Sequence, residues 1–346
     1  MENRGADQEP KPVPFWHMCY AGQCTASLRG MGGIEMQYSV DAILLTYKPG
    51  RQVMELIEAL EKQRYPIRKI IIMNTEERYF YNLFYGTGFL EKYKNIEIHH
   101  LSEREFDHGR TRAKAVQYSK ADIFVCMTQD AMPEDDWLIQ RLVEALTERE
   151  DIAAAYARQL PYPNCREIER YTRAFNYPDK SFVKSAADLD RLGIKTFFCS
   201  NVCAAYNREI YEHIGGFVKK AIFNEDMVYA GHAVMAGCCI AYAAEAKVRH
   251  SHNYTCMQQF HRNFDLGVSQ ADHPEVFEVV SSENEGARLI KNTIRHLEKT
   301  RKWIQIPYLI LSSGCKFIGY KLGKHYRSLP VPLVRWCSAS RSYWDE

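Results

Sequence analysis

The chain lacks a long apolar run. The longest uncharged stretch of its C-terminal region, residues 303–315, is shorter than the ~20 residues a helix needs to span a bilayer. It also lacks a disulfide framework. Eleven Cys are scattered, and most fall in apolar runs, such as Cys126, Cys199, Cys203, Cys238 and Cys239. Reduced, buried thiols of a cytosolic protein are the expectation. Cys19 and Cys24 stand too isolated for a zinc site of known spacing. No charged-then-apolar leader opens the sequence, so no signal peptide is expected. No Gly-x-Gly-x-x-Gly follows the first apolar run, where Thr46-Tyr-Lys-Pro-Gly50 stands instead, which sets aside a nicotinamide-dependent oxidoreductase. No internal repeat is visible.

What is present is a soluble globular composition, 46% hydrophobic and 25% charged. At 346 residues the chain can bury one large core, or one domain with appendages. The aromatic content is carried mainly by 22 Tyr, which suit core, rim or sugar-binding surface alike. A net charge of +2 conceals an asymmetry. Residues 288–341 carry +11, whereas residues 1–287 carry −7. A basic C-terminal segment beside an acidic body points to an anionic surface as partner, and no nucleic acid is expected.

The apolar pattern alternates between two periods. Residues 40–45, 69–73, 96–100, 123–127 and 152–156 read as strands. Helical spacing covers 53–63, where Val53, Leu56, Ile57 and Leu60 share a face, and also 109–119 and 134–147. The last of these is expected to carry acids in its first turn. Further on, 199–206 reads as a strand, 228–237 as a helix, 240–243 as a short strand and 247–250 as an extended piece. Strands alternating with helices predict a parallel sheet with right-handed crossovers. Three regions follow: a loose extension at 1–37, a main domain at 38–282, and a basic, amphipathic helical segment at 283–346. That last segment lies either on a membrane surface or against the body as a helical pair.

The chemistry gathers at strand ends. Asp130 follows the apolar run 123–127, and in an open α/β sheet ligands bind beyond the carboxyl ends of strands. Asp130 can therefore meet a metal–phosphate, or simply turn the chain or cap the next helix. Glu225 and Asp226 form a second cluster, either catalytic or an ordinary helix first turn. His250 and His252 form a third. They are expected to face opposite sides of a strand, so that only one points at the site. A hard divalent ion takes one or two carboxylates, and an imidazole in the shell suits Mn²⁺ as well as Mg²⁺. A carboxylate held off the metal could act as a general base. His108, Gly109 and Arg112 open a helix at Asp107, as a diphosphate cradle or as a plain Asp N-cap with solvated arginines.

In order, these motifs resemble the bacterial rhamnosyltransferases among the inverting family-2 glycosyltransferases. The run is Thr46-Tyr-Lys-Pro, Asn74-Thr, Phe106-Asp-His-Gly-Arg-Thr-Arg112, Thr128-Gln-Asp-Ala131, Asn224-Glu-Asp-Met227 and His250-Ser-His-Asn-Tyr254. Ser200-Asn-Val-Cys-Ala-Ala-Tyr206 before Gly215-Gly-Phe217 fits the same branch. The resemblance covers about residues 38–275.

It implies a GT-A fold: a mostly parallel central sheet flanked by helices, a Rossmann-like nucleotide-binding half and a C-terminal helical tail. It implies a nucleotide-sugar donor, dTDP-L-rhamnose, and a glycan or polyprenol-linked acceptor, handled at the inner face of the cytoplasmic membrane. Thr46, Tyr47, Lys48, Asn74, His108, Gly109, Arg112, Gln129 and Asp130 would bind the donor. Lys48 and Asn74 depart from the residues common in the family at those places. Asp130 with His250 or His252 would hold Mg²⁺ or Mn²⁺, in a site where Gln-Asp-Ala replaces Asp-x-Asp. Asp226 would be the base with Glu225 beside it, and Asn176, Ser200 and Asn201 would meet the acceptor. A UDP-hexose or UDP-N-acetylhexosamine donor, or a non-catalytic sugar-binding protein on the same fold, are the alternatives.

Overall fold

A computed structural model of the chain describes residues 38–279 and 283–345. The extension expected at 1–37, with Cys19 and Cys24, lies outside the described residues, as does the boundary expected at 282. The amino-terminal elements are β1 (Val40–Tyr47), α1 (Arg51–Glu61), β2 (Lys69–Thr75), α2 (Glu77–Phe84), β3 (Ile96–Leu101), α3 (His108–Tyr118) and β4 (Ile123–Thr128). Then come β5 (Met132–Pro133), α4 (Leu138–Thr147), β6 (Ile152–Leu160), α5 (Glu167–Asn176), β7 (Phe182–Lys184) and α6 (Leu189–Leu192). β8 (Cys203–Asn207), α7 (Arg208–Ile214), α8 (Glu225–Met235) and β9 (Cys239–Arg249) complete the sheet region. The chain closes with α9 (Cys256–Asp272), α10 (Pro274–Phe277), α11 (Glu283–Lys299), α12 (Ile306–Lys324) and α13 (Val331–Cys337).

The strands form one sheet in the order β3-β2-β1-β4-β8-β6-β9-β5, with β7 also on β9. β1, β2, β3, β4, β6 and β9 run one way, and β5, β7 and β8 run against them. The mostly parallel sheet expected from the sequence is therefore present. Alternation along each strand splits the core in two. Val40, Ala42 and Leu44 of β1 face α1, α2 and α4, whereas Ile43 and Leu45 face α3, α7 and α8. Burial on both faces is why β2 and β4, and β1 from Ala42 onward, read as apolar runs.

Polar clasps fasten the amino ends of the strands. Asp41 is wholly buried; it accepts from Arg68 at 2.6 Å and from Ser119 Oγ at 2.7 Å. Asp122 accepts from the Ser39 amide and hydroxyl at 2.8 and 2.7 Å. The Cys239 amide donates to the Asp151 carbonyl at 2.8 Å.

Two boundaries differ from expectation. α4 begins at Leu138, not at 134, so its first turn holds no acid. Met132 and Pro133 are claimed by β9, opposite Arg249 and Val248, and Asp135 turns the chain by accepting from the Trp137 amide at 3.0 Å. The pieces expected at 240–243 and 247–250 are one strand, β9. A register shift against β6 between Ala157 and Arg158 breaks its periodicity. Long helices at 256–272 and 306–324 were not read from the sequence as such. α12 lies very close to α9: a Cβ on Gly319 would stand 2.3 Å from the Phe260 carbonyl oxygen, and one on Gly323 only 2.1 Å from that of Phe264.

Candidate active site

Parallel pairing brings the carboxyl ends of β1, β4, β6 and β9 to one edge of the sheet. Leu45 is level with Thr128, and Leu160 with Arg249. β8 runs the other way, so its start at Cys203, next to Met127, reaches the same edge. Tyr47, Gln129, Asp130, Gln159, Ser200, Asn201, His250 and His252 all follow or precede these strand ends.

Gln129 links β1 to β4. Its Oε1 accepts from the Tyr47 amide at 3.1 Å and its Nε2 donates to the Tyr47 carbonyl at 2.9 Å. The exposed Tyr47 ring then pairs its hydroxyl with Glu103 and carries Lys48 4.7 Å from its centroid. Thr46 and Asn74 lie behind this rim. Thr46 Oγ1 donates to Asn74 Oδ1 at 3.0 Å, and the wholly buried Asn74 amide also reaches the Glu76 carbonyl and His100 Nδ1. Asn74 supports Thr46 instead of presenting its amide to a ligand.

Asp107 is the N-cap of α3. Asp107 is buried and accepts from the Arg110 amide at 2.7 Å and from the Ala221 amide at 2.9 Å. Gly109 is required because a Cβ there would meet the Val218 carbonyl at 2.1 Å. Arg112 turns inward, 3% exposed, and its Nη1 donates to Glu225 Oε1 at 2.6 Å. His108 Nδ1 lies 3.3 Å from the same nitrogen, and burial pushes its pKa down to about 4. Gly109 and Arg112, expected beside the diphosphate, both pack the interior.

The acid pair is divided by its surroundings. Glu225 Oε1 accepts from Arg112 and from Asn201 Nδ2 at 2.9 Å. Burial raises its pKa, but Arg112, His108 and Asn201 outweigh burial and leave it lowered. Asp226 is only half-buried. Its Oδ2 accepts from the Asn201 amide at 2.8 Å and its Oδ1 from the Met227 amide at 2.8 Å. Burial first and Glu225 second raise its pKa. Asn201 is itself fixed by Tyr206, whose hydroxyl donates to Asn201 Oδ1 at 2.7 Å. One carboxylate is locked as an anion beside Arg112, and its neighbour is made more basic.

The third group is Asp130, His250 and His252. His250 Nε2 lies 3.4 Å and His252 Nε2 3.0 Å from Asp130 Oδ2, and the three ligand atoms lie within 4.8 Å of one another. Both histidines point inward, which corrects the expectation that they face opposite ways. Successive residues alternate in an extended chain, so residues two apart share a face. Ser251 and Asn253, between and after them, face the 161–166 loop: Ser251 Oγ accepts from the Tyr162 amide at 3.0 Å and Asn253 Oδ1 from the Arg166 amide at 2.9 Å.

Gln159 completes the group and was missed in the sequence. Its Oε1 faces the guanidinium of Arg173, which can only donate, so this atom is the acceptor. His250 Nδ1, 3.0 Å away, must therefore carry the proton it donates to Oε1. The Nε2 lone pair of His250 then faces the Asp130 carboxylate, acceptor against acceptor. Burial lowers the pKa of His250, which disfavours a proton at that place. A divalent cation between an oxygen and two imidazole nitrogens resolves the conflict, so this donor set fits one.

Gln159 Nε2 also donates to Ser200 Oγ at 2.9 Å, next to Asn201. The metal-like group and the acid pair are thereby linked from Gln159 through Ser200 to Asn201. Gln159 sits near the end of β6, after Arg158, and no local motif marks it. Asn176 ends α5, half-buried and outside this network.

Comparison with known proteins places this geometry. Residues 41–215 match glycosyl transferase family 2. The chain is 39% identical over 309 residues to the O-antigen chain rhamnosyltransferase RfbN of Salmonella typhimurium, covering 88% of this chain and 96% of that one. It is 41% identical over 247 residues to the O-antigen chain rhamnosyltransferase WbaN of Salmonella anatum, covering 71% and 78%. In fold it is similar to the mannosyltransferase PcManGT from Pyrobaculum calidifontis, solved with GDP-Man and Mn²⁺. The TM-score is 0.51 at 14% identity, over 89% of this chain and 85% of that one.

Proposed function

This chain belongs to glycosyl transferase family 2, and from that premise we propose that it moves L-rhamnose from dTDP-L-rhamnose onto a hydroxyl of a glycan or lipid-linked saccharide in cell-surface polysaccharide synthesis. The sugar and the pathway rest on the names of the two Salmonella relatives. The observation that carries the chemistry is the division of the acid pair: Glu225 is bound to Arg112, and Asp226 alone is basic and accessible. A glycoside hydrolase would need two proton-handling carboxyls flanking one bond. One base suits an inverting transfer.

Asp226 takes the proton of the acceptor hydroxyl. That oxygen attacks the anomeric carbon as the bond to the diphosphate oxygen breaks, and the electron pair leaves with the diphosphate. The configuration inverts. Asn201 and Met227 amides keep the Asp226 carboxylate aimed while it is charged. Asp130, His250 and His252 would hold the divalent metal, whose chemistry is to stabilise charge on the leaving diphosphate. The two imidazoles favour Mn²⁺ over Mg²⁺. Because Arg112 is sealed against Glu225, it supplies no such stabilisation.

The nucleoside would lie along Thr46, Tyr47, Lys48 and Gln129, and the acceptor near Ser200, Asn201 and Asn176. Residues 38–282 would carry the chemistry. Residues 283–346 would seat the protein on the inner face of an anionic membrane, a reading supported by the +11 of residues 288–341. The experiment is a transfer assay with dTDP-rhamnose, UDP-glucose and UDP-N-acetylglucosamine, each with Mn²⁺, beside thermal shift. Rhamnose transfer and stabilisation by dTDP-rhamnose are expected. Stabilisation by a UDP-sugar alone would overturn the donor assignment.

A further inference from the structure

α12 is apolar on more than its packed side. Its inward side carries Leu309, Cys315, Leu322 and the close-packed Gly319 and Gly323, together with Ser312 and Tyr320. Tyr320 Oη donates to Gln270 Oε1 at 2.8 Å. The outward side is a stripe of Pro307, Ile310, Leu311, Gly314, Phe317 and Ile318, with no charge until Lys321. Ile310, Leu311, Phe317 and Ile318 are each more than half exposed. A surface helix of a soluble protein turns charged and polar residues outward, which this face of α12 does not. Single exposed apolar residues mean little, but a continuous stripe marks an interaction surface.

The ends of the stripe are aromatic and basic. Trp303 and Ile304 are among the most exposed apolar residues described, at 67% and 76%, and Lys299 and Arg301 precede them on the surface. Lys321 and Lys324 close the other end. Within residues 288–341 the one acid is Glu298. This charge decides between occupants. A second copy of the chain meeting α12 face to face would bring +11 against +11. An anionic surface is complementary instead. No described helix is long and apolar enough to cross a membrane, so α12 would lie in the plane of the interface. Trp and basic side chains at the ends of an apolar stripe are the groups that favour the head-group layer.

We propose that the outward face of α12 docks on an anionic lipid bilayer. Pro307, Ile310, Leu311, Phe317 and Ile318 enter the acyl boundary, and the basic residues at the two ends meet head-group phosphates. This deepens the membrane reading given above and rests on it. It also fixes where the active site lies relative to the lipid. Tyr308 Oη, in the first turn of α12, donates to the Tyr254 carbonyl at 3.1 Å, and the Tyr254 ring stacks on His252 at 4.8 Å. The amino end of the docking face therefore adjoins the metal-like group, where a lipid-borne acceptor would arrive.

The test is flotation of the full chain with vesicles of mixed phosphatidylcholine and phosphatidylglycerol, and with phosphatidylcholine alone. The wild type is expected to float with the anionic vesicles and far less with the neutral ones. The double variant Ile310→Glu, Phe317→Glu changes two exposed side chains and should lose at least about tenfold in vesicle partition. Its sugar transfer to a water-soluble acceptor should equal that of the wild type, which also reports that it folds. Wild type that stays at the bottom of the gradient overturns the proposal, as does a double variant that floats equally well. Sedimentation would expose the rival occupant: a dimer that the double variant abolishes, with flotation unchanged, assigns the face to a second copy. Failure of transfer by both proteins, with the flotation difference intact, would remove the transferase reading and leave the docking face standing.

Discussion

Gln159 Oε1 accepts the Nδ1 proton of His250 at 3.0 Å, and that one contact fixes which nitrogen of His250 is left to bind a cation. Gln159→Leu should free the ring to flip and should weaken Mn²⁺ binding about ten- to a hundredfold. Gln159→Glu keeps an acceptor beside Arg173 and should hold affinity near or above that of the wild type. Titration of Mn²⁺ followed by electron paramagnetic resonance reads this without any turnover. Equal weakening in both variants would show that Gln159 acts only as packing.

Asp226 has a pKa raised to about 7, by burial first and by Glu225 second. A general base works deprotonated, so kcat should climb as pH rises through about 7 and level off above it. Asp226→Asn should lower kcat by about 10²–10⁴, leave donor KM little changed and abolish that rise. A pH–rate profile of both proteins is the measurement. A profile of unchanged shape in the variant would move the base elsewhere.

The Arg112–Glu225 pair is sealed, each side chain no more than 5% exposed. Arg112→Met strands a buried carboxylate and should cost about 3–5 kcal/mol in urea unfolding. The double variant Arg112→Met, Glu225→Gln should recover most of that loss. The sign with pH follows from the lowered pKa of Glu225. Its contribution is fully present above the pKa of an unfolded Glu and is lost as pH falls through the folded value. Acid unfolding of the double variant should therefore lack this component.

Close approach of α9 and α12 is tested at two glycines. Gly319→Ala places a Cβ 2.3 Å from the Phe260 carbonyl and should destabilise by about 1–3 kcal/mol, because backbone must shift. Gly314 has nothing within 4 Å of such a Cβ, so Gly314→Ala should stabilise by about 0.5–1 kcal/mol through helix propensity. Thermal melting of the two variants should give shifts of opposite sign.

Much of the sheet was legible because strands buried on both faces leave unbroken apolar runs, as at 42–45 and 123–127. Asp130, Asp226 and the two histidines were legible as polar residues in short motifs at strand and helix ends. What escaped was direction. Arg112 is written like a surface arginine near a helix start, and only tertiary packing turns it onto Glu225, 113 positions away. Asn74 likewise looks ligand-facing until its three partners are seen. Gln159 carries no motif, since its importance comes from the Arg173, His250 and Ser200 that converge on it. The start of α4 was misplaced because a two-residue pairing with β9 cannot be read from local periodicity.

The sheet resembles a book bound along one margin. Asp41 with Arg68 and Ser119, Ser39 with Asp122, and Cys239 with Asp151 stitch the amino ends of its strands. At the opposite margin the pages end in Tyr47, Asp130, Ser200 and His250, tied chiefly by amide side chains that reach across from one page to the next. The spine is fastened by carboxylates and a backbone bond, whereas amide side chains, which both donate and accept, fasten the margin where donor and acceptor are proposed to meet.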